Sequence, residues 1–214
     1  MVNSLAQLVL KLASPGVPDF YQGTELWDLS LVDPDNRRPV DYVARQKLLD
    51  GIQPLVACLA ADQAADRAVG ELLDQWPDGR IKLLVTARGL RFRRDHADLM
   101  LEGAYEPLEP HGAASDHIVA FARHDSSGTL IAVVPRLICS LPTSGRLPPR
   151  GAQAWADTRV SLPDWTVAAA YRDVLTGETV HTVNRHLEVT TVFRTLPVAL
   201  LWAASNAPAG NAPT

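Results

Sequence analysis

The sequence predicts an α+β fold: the remnant of a (β/α)8 barrel with a helical insert, followed by an antiparallel β-sandwich. Three observations predict it. A helix–strand unit of the kind such barrels repeat occurs once, at the front. Apolar stripes at helical spacing then follow as far as about Arg94. After Leu99 the texture changes to short β-rich runs separated by turn residues. The 214 residues are 47% apolar and 21% charged, ordinary for a soluble chain that buries a core. The net charge of −4 argues against a nucleic-acid partner, which needs a field that attracts phosphates.

The first helix is expected to start at Ser4, where Ser4 and Gln7 have the spacing of a capping box. Leu5, Leu8, Val9 and Leu12 make one apolar stripe, and Ser14-Pro15-Gly16 stops it. Val17 to Tyr21 is a strand candidate. A parallel strand needs parallel neighbours joined by crossovers of a dozen or more residues. Only a helix precedes this one, so the chain reads as if the front of a barrel were missing. Asp33 to Pro39 is a polar, proline-flanked loop. Asp41 then caps a helix that Gly51 and Pro54 are expected to break, with another from Leu55 to Ala61. Val69, Leu72, Leu73 and Trp76 make a further stripe, and Ile81, Leu84 and Val85 begin a helix running to about Arg94.

In the second half, Gly103 to Pro107 reads as a strand and bend. His117 to Arg123 and Thr129 to Val134, joined by Asp125-Ser126-Ser127-Gly128, read as a hairpin. Ser140 to Gly151 is an expected exposed loop. Further strands are expected at Ala168 to Asp173, Glu178 to Val183 and His186 to Phe193, with a buried closing strand at Leu196 to Leu201. The domain reading is 1–42 barrel end, 43–98 helical insert and last barrel helix, 99–204 β-sandwich, and 205–214 disordered tail.

Cys58 and Cys139 are too few for a secreted disulfide scaffold, which favours a cytoplasmic setting, and both read as small buried hydrophobes. The apolar run at Leu8-Val9-Leu10 is too short to span a membrane. His111, His117 and His124 match no metal-site spacing, and no cofactor motif is present. Trp155, Trp165 and Trp202 read as core packing rather than a binding platform. Arg91, Arg93 and Arg94 read as a solvated helix face or interdomain salt bridges.

Two stretches carry a resemblance to the alpha-amylase superfamily. Pro15-Gly16-Val17-Pro18-Asp19-Phe20-Tyr21-Gln22-Gly23-Thr24-Glu25 is similar to the segment around its eighth barrel strand. Leu90 to His96, followed by Leu101 to Tyr105, resembles its last barrel helix entering the C-terminal sandwich. The run Glu25 to Tyr42 is much more specific: it resembles the C-terminal portion of the maltooligosyl trehalose synthase family. The helices between it and Trp76 to Lys82, and His117 to Arg136 with its Ala120-Phe121-Ala122-Arg123, are similar to the same family. The resemblance implies the last helix–strand–helix of the barrel and an intramolecular transglycosylation. In that reaction the reducing-end α-1,4 bond of a maltooligosaccharide becomes an α,α-1,1 bond. A retaining reaction of this kind needs two carboxyl groups roughly 5 Å apart. In the family they come from barrel strands upstream of the segment matching Met1 onward, so no residue here is expected to be catalytic. Glu25 with Asp35 as a catalytic pair is the reading the resemblance argues against.

What remains is a maltooligosaccharide-contacting loop. Active sites of such barrels lie where strands end. That makes Tyr21, Gln22 and Glu25, and the loop residues Asp33, Asp35, Asn36, Arg37 and Arg38, the candidate substrate-binding set. The competing reading is a loop folded on itself, with Arg37 or Arg38 paired to Asp33 or Asp35. The rival functions are a fragment of another amylase-type glycoside hydrolase, or a non-catalytic carbohydrate-binding or structural domain.

Overall fold

In a computed structural model, residues 1–57, 63–142, 148–149 and 151–205 are described. The first helix, α1 (Val2–Ala13), buries Leu5, Leu8, Val9 and Leu12 as the stripe requires. It starts two residues before Ser4, at an N-cap, Met1, that makes no side-chain hydrogen bond, so the expected capping box is not used. The strand expected at Val17 to Tyr21 does not form. A strand is defined by the ladder it joins, and among the described residues no segment lies alongside to complete one. Side chains tether this stretch instead. The Lys11 Nζ sits 3.8 Å from the centre of the Phe20 ring, and Arg93 donates to Leu12 O (2.6 Å) and Gly16 O (2.7 Å). Val17 is 84% exposed. Hydrogen exchange on monomeric protein should therefore find the amides of Val17, Asp19, Phe20 and Tyr21 unprotected. Slow exchange there would reveal a strand partner that the fold does not contain.

Helix α2 (Tyr42–Ala57) runs through both Gly51 and Pro54, against the expectation that they would break it. Pro54 removes one intrahelical donor, but Ile52 and Val56 are buried in the same apolar cluster as α4. The last carbonyls of α2 are also taken up: Arg88 donates to Leu55 O and Arg91 to Val56 O (3.2 Å). Tertiary packing and two side-chain caps outweigh the local penalty. Of the helix expected at Leu55 to Ala61, residues 55–57 belong to α2, and the rest lies outside the described residues.

Helices α3 (Gln63–Asp74), α4 (Arg80–Asp95) and the short α5 (Ala97–Glu102) complete the helical layer. Helix α4 is its centre, with Ile81, Leu84 and Val85 fully buried. It meets α1 at Gly89, where an added Cβ would lie 2.4 Å from Leu12 Cδ1, so any larger residue would have to displace the buried Leu12 side chain.

The remaining strands are β1 (Ala104–Leu108), β2 (Pro110–His111), β3 (Ile118–His124), β4 (Gly128–Pro135), β5 (Arg159–Ser161), β6 (Ala170–Asp173), β7 (Thr179–His181), β8 (His186–Glu188) and β9 (Ala199–Ala204). All pairings are antiparallel. They make a six-stranded sheet in the order β1-β3-β4-β9-β6-β7 and a three-stranded sheet in the order β2-β5-β8. The hairpin β3–β4 forms as expected, with Phe121 opposite Ala132.

At the centre of the large sheet, in β3, β4 and the first half of β9, alternate residues point opposite ways and both faces are buried. Phe121, Leu130, Ala132, Val134 and Leu200 meet α1, α2 and α4 in one apolar cluster. Ala122, Ile131, Val133 and Leu201 share a second cluster with Val160 of β5, Leu187 of β8, Trp155 and Phe193. Each of the valines, leucines, isoleucine and phenylalanines among them stabilises the fold by about 1.5–3 kcal/mol when fully buried.

Several local expectations are corrected. His186 to Phe193 is a strand only to Glu188 and then a helical turn, α7 (Val189–Val192). The closing strand begins at Ala199, not Leu196. In the expected exposed loop Leu141, Pro148 and Pro149 are buried, and the short helix α6 (Gly151–Trp155) follows, its Trp155 donating to Pro149 O (3.3 Å). Cys139 is exposed rather than buried, because it lies on a one-turn helix where only Ile138 faces the core. Cys58 and residues 206–214 of the expected tail lie outside the described residues. No described helix is long and apolar enough to cross a membrane.

Candidate functional site

The polar segment between α1 and α2 builds a concave site. Its backbone is shaped by short-range acceptors. Asp28 Oδ1 takes the Ser30 N–H at 2.9 Å, and Asp35 Oδ2 takes the Leu31 N–H at 2.7 Å. A 3-10 turn (Asp35–Arg37) follows. Two arginines close the loop on itself. Arg37 makes a forked pair with Asp33, with Nη2 to Oδ2 at 2.9 Å, and Arg38 pairs with Asp35 through Nε at 3.0 Å.

The loop is fixed to the body at two ends. At one, Arg45 of α2 pairs with Glu25 and donates to Gly23 O at 3.2 Å. At the other, Lys82 of α4 donates to Leu26 O at 2.7 Å, and the Trp27 indole donates to Trp76 O, the two tryptophan rings meeting edge-on at 6.1 Å.

These contacts leave a cleft of about 270 Å³ lined by Gln22, Asp28, Asp35, Asn36, Arg38 and Arg45, with Trp27 at one wall. Of the sequence-derived candidates, Gln22, Asp35, Asn36 and Arg38 come together here. Tyr21, Glu25, Asp33 and Arg37 do not line it: Tyr21 is exposed and the other three are engaged in ion pairs. The Asn36 side-chain oxygen is buried and unpartnered. The sequence reasoning missed Trp27, Asp28 and Arg45. An aromatic residue next to Asp-x-Ser inside a polar loop was the available signal for the first two; nothing local marked Arg45.

The electrostatics favour accepting hydrogen bonds over donating protons. Hydrogen bonds from Ser30 hold the Asp28 carboxyl below the usual carboxylate range. The Leu31 N–H, and then Arg38, do the same for Asp35. Beneath the loop, burial lowers the pKa of Lys82, and the charge of Lys11 acts in the same direction. Ionised Asp28 and Asp35, a side-chain amide and guanidinium N–H groups suit a ligand rich in hydroxyls.

Comparison with known proteins locates this chain. No family model matches it. It is 38% identical over 199 residues to a putative maltooligosyl trehalose synthase of Mycobacterium tuberculosis, covering 93% of this chain and 20% of that protein. Maltooligosyltrehalose synthase from Arthrobacter ramosus superposes with a TM-score of 0.68 at 36% identity, over 95% of this chain and 22% of that one. Another maltooligosyl trehalose synthase structure gives 0.61 at 26% identity, over 96% and 22%. An Anoxybacillus alpha-amylase, at 15% identity and a TM-score of 0.57 over 97% of this chain and 33% of that one, shares the fold alone. The chain thus spans about a fifth of the length of the curated relatives it matches.

Proposed function

We propose that this chain, homologous to about one fifth of a maltooligosyl trehalose synthase, is the C-terminal portion of such an enzyme. The whole enzyme is then an isomerase on an amylase-type glycoside hydrolase fold. It turns the reducing-end α-1,4 bond of a maltooligosaccharide into an α,α-1,1 bond, in the cytoplasm. In this reading residues 1–42 are the end of the (β/α)8 barrel and 43–98 carry the helical insert and last barrel helix. Residues 99–204 are the C-terminal β-sandwich, formed by the two antiparallel sheets. The carboxylates that make and break the glycosidic bonds belong to barrel strands outside this stretch. The residues here position sugar: Gln22, Asp35, Asn36 and Arg38 through hydroxyl contacts, and Tyr21 as a stacking face. The pairs Asp33–Arg37 and Glu25–Arg45 hold the loop in shape.

The observation that carries this reading is the cleft itself: a polar, hydroxyl-matching concavity built by the segment that precedes α2, inside the stretch homologous to the synthases. Two experiments test it. The purified 214-residue chain, incubated with maltopentaose, should consume no reducing ends. Turnover that disappears in Glu25→Gln or Asp35→Asn would move catalysis into the loop and overturn the assignment. A chimera of the Arthrobacter ramosus synthase carrying this chain in place of its matched segment should form trehalosyl product. Arg38→Ala in that chimera should raise KM about 10- to 100-fold, the equivalent of one lost charge-assisted hydrogen bond. A folded but inactive chimera would count against the family reading.

A further inference from the structure

A second cleft lies at the C-terminal end of α2, between the C-terminal half of α4 and the sheet strands β6 and β9. Its volume is about 310 Å³. The floor is aromatic: Phe92 stacks on His96 at 4.0 Å, and His96 meets the Trp202 ring edge-on at 4.6 Å. Val56 and Val174 wall it. The rim is basic. Arg91 and Arg94 stand three residues apart on one helix, and Arg172 reaches in from β6.

Like charges at that helical spacing repel by a few tenths of a kcal/mol, and a third converging on the same space adds to the cost. Among the described residues the cleft's lining holds one acid, Asp95, which already faces Arg94 at 2.8 Å. Arg91 spends one donor on Val56 O, and the Arg172 side chain makes no hydrogen bond or ion pair among the described residues. Each guanidinium carries five donors in a planar fork that matches an oxyanion. The chain as a whole is acidic, at −4, so this local excess of positive charge is not a property of its general surface.

We propose that this cleft binds a small ring-bearing phosphate of about hexose phosphate size. A fourth arginine of the lining, Arg88, is buried and donates to the Leu55 and Leu175 carbonyls, and the three guanidiniums of the rim exceed what one carboxylate can match. A phosphate monoester offers about −1.5 to −2 charges and three acceptor oxygens, and arginine forks bind it bidentately. The aromatic and valine floor takes the less polar face of the ring. The volume is at the lower end for small-molecule sites, roughly 300–1,000 Å³, which matches a single sugar ring and its phosphate. The site uses none of the residues of the loop cleft, so it stands or falls separately from the sugar-positioning role given to Gln22, Asp35, Asn36 and Arg38.

Calorimetric titration of the 214-residue chain with glucose 6-phosphate at fixed ionic strength tests it. Saturable one-to-one binding is expected, with glucose silent and inorganic phosphate at least tenfold weaker. Arg172→Ala and Arg91→Ala should each weaken binding at least tenfold, and Arg172→Lys should weaken it less, all with unchanged circular dichroism. Arg185→Ala, at an exposed arginine paired with Asp164, and Arg38→Ala, in the loop cleft, should leave it unchanged. Absence of saturable binding overturns the proposal. So does binding that survives both alanine variants, or inorganic phosphate binding as tightly as glucose 6-phosphate.

Discussion

Replacing Arg123 with alanine is expected to destabilise the protein by about 3–5 kcal/mol, enough to consume much of a typical net stability of roughly 5–15 kcal/mol. Arg123 lies on β3, is 1% exposed, and serves backbone carbonyls rather than a carboxylate. It donates to Gly103 O (2.8 Å), Leu99 O (3.1 Å) and Met100 O (3.3 Å), at the end of α5, and to Ala13 O (3.3 Å), the last residue of α1. Helix ends leave carbonyls without intrahelical donors, and they carry the negative end of the helix dipole. One guanidinium therefore closes two helices against the sheet. Alanine would leave buried acceptors short of donors and a cavity beside them. Lysine would keep the charge but lose the fork, so an intermediate loss is expected. The shift in denaturant midpoint, at unchanged slope, measures it. A loss below about 1 kcal/mol for Arg123→Ala would mean that water replaces the guanidinium, and that the two helix ends do not depend on it.

The second large effect centres on Asp173, 2% exposed at the end of β6. Its carboxyl accepts from the Leu175 N–H (3.0 Å), the Thr176 hydroxyl (3.0 Å) and the Leu200 N–H (3.2 Å), tying the turn after β6 to β9. Burial pushes its pKa up to about 7, the three donors pulling against that and the charge of Glu178 adding to it. The folded state thus holds this proton more tightly than the unfolded chain, whose aspartates titrate near roughly 3.9. The contribution to stability is fully present below about pH 4 and falls as pH rises toward 7. It is flat above that, and spans on the order of a few kcal/mol. Asp173→Asn keeps two acceptor contacts and should abolish this slope. Asp173→Ala leaves three buried donors unpaired and should cost about 2–4 kcal/mol near pH 4, and less as pH rises toward 7, where the wild type loses the contribution of its bound proton. Stability curves for the wild type and the asparagine variant that run parallel between pH 4 and 7 would show that the group titrates as it does in the unfolded chain.

The elements legible in the sequence were those whose signal is periodic and self-contained. The α1 stripe at Leu5, Leu8, Val9 and Leu12 is one, and the β3–β4 hairpin with its Asp125 to Gly128 turn is another. Illegible were features settled by distant parts of the chain. Pro54 breaks helices by local rules, yet α2 continues because α4 packs on it and supplies Arg88 and Arg91 to its end. Val17 to Tyr21 has strand composition, but composition cannot supply a neighbour. Arg123 sits in the run Ala120-Phe121-Ala122-Arg123 as an ordinary edge charge, and its acceptors include a residue 110 positions away. In the candidate site the charge pairs were readable, because Asp33–Arg37 and Asp35–Arg38 are close in sequence. The wall at Trp27 was not, because Trp76 and Lys82, which hold that part of the loop, come from beyond α3.

The strand order of the large sheet bears on the route by which the chain reaches its fold. Strand β9 is the last element described, yet it lies between β4 and β6. During synthesis the β1-β3-β4 half and the β6-β7 hairpin emerge first, each with an unsatisfied edge facing the place β9 will take. Neither half can zip to the other until residues 199–204 have left the ribosome and threaded between them. Pairings of long sequence separation close slowly, and open edges in the interval invite pairing with other nascent chains. The keystone arrives last, and a polypeptide that stopped short of Ala199 would lack the seam joining its two halves.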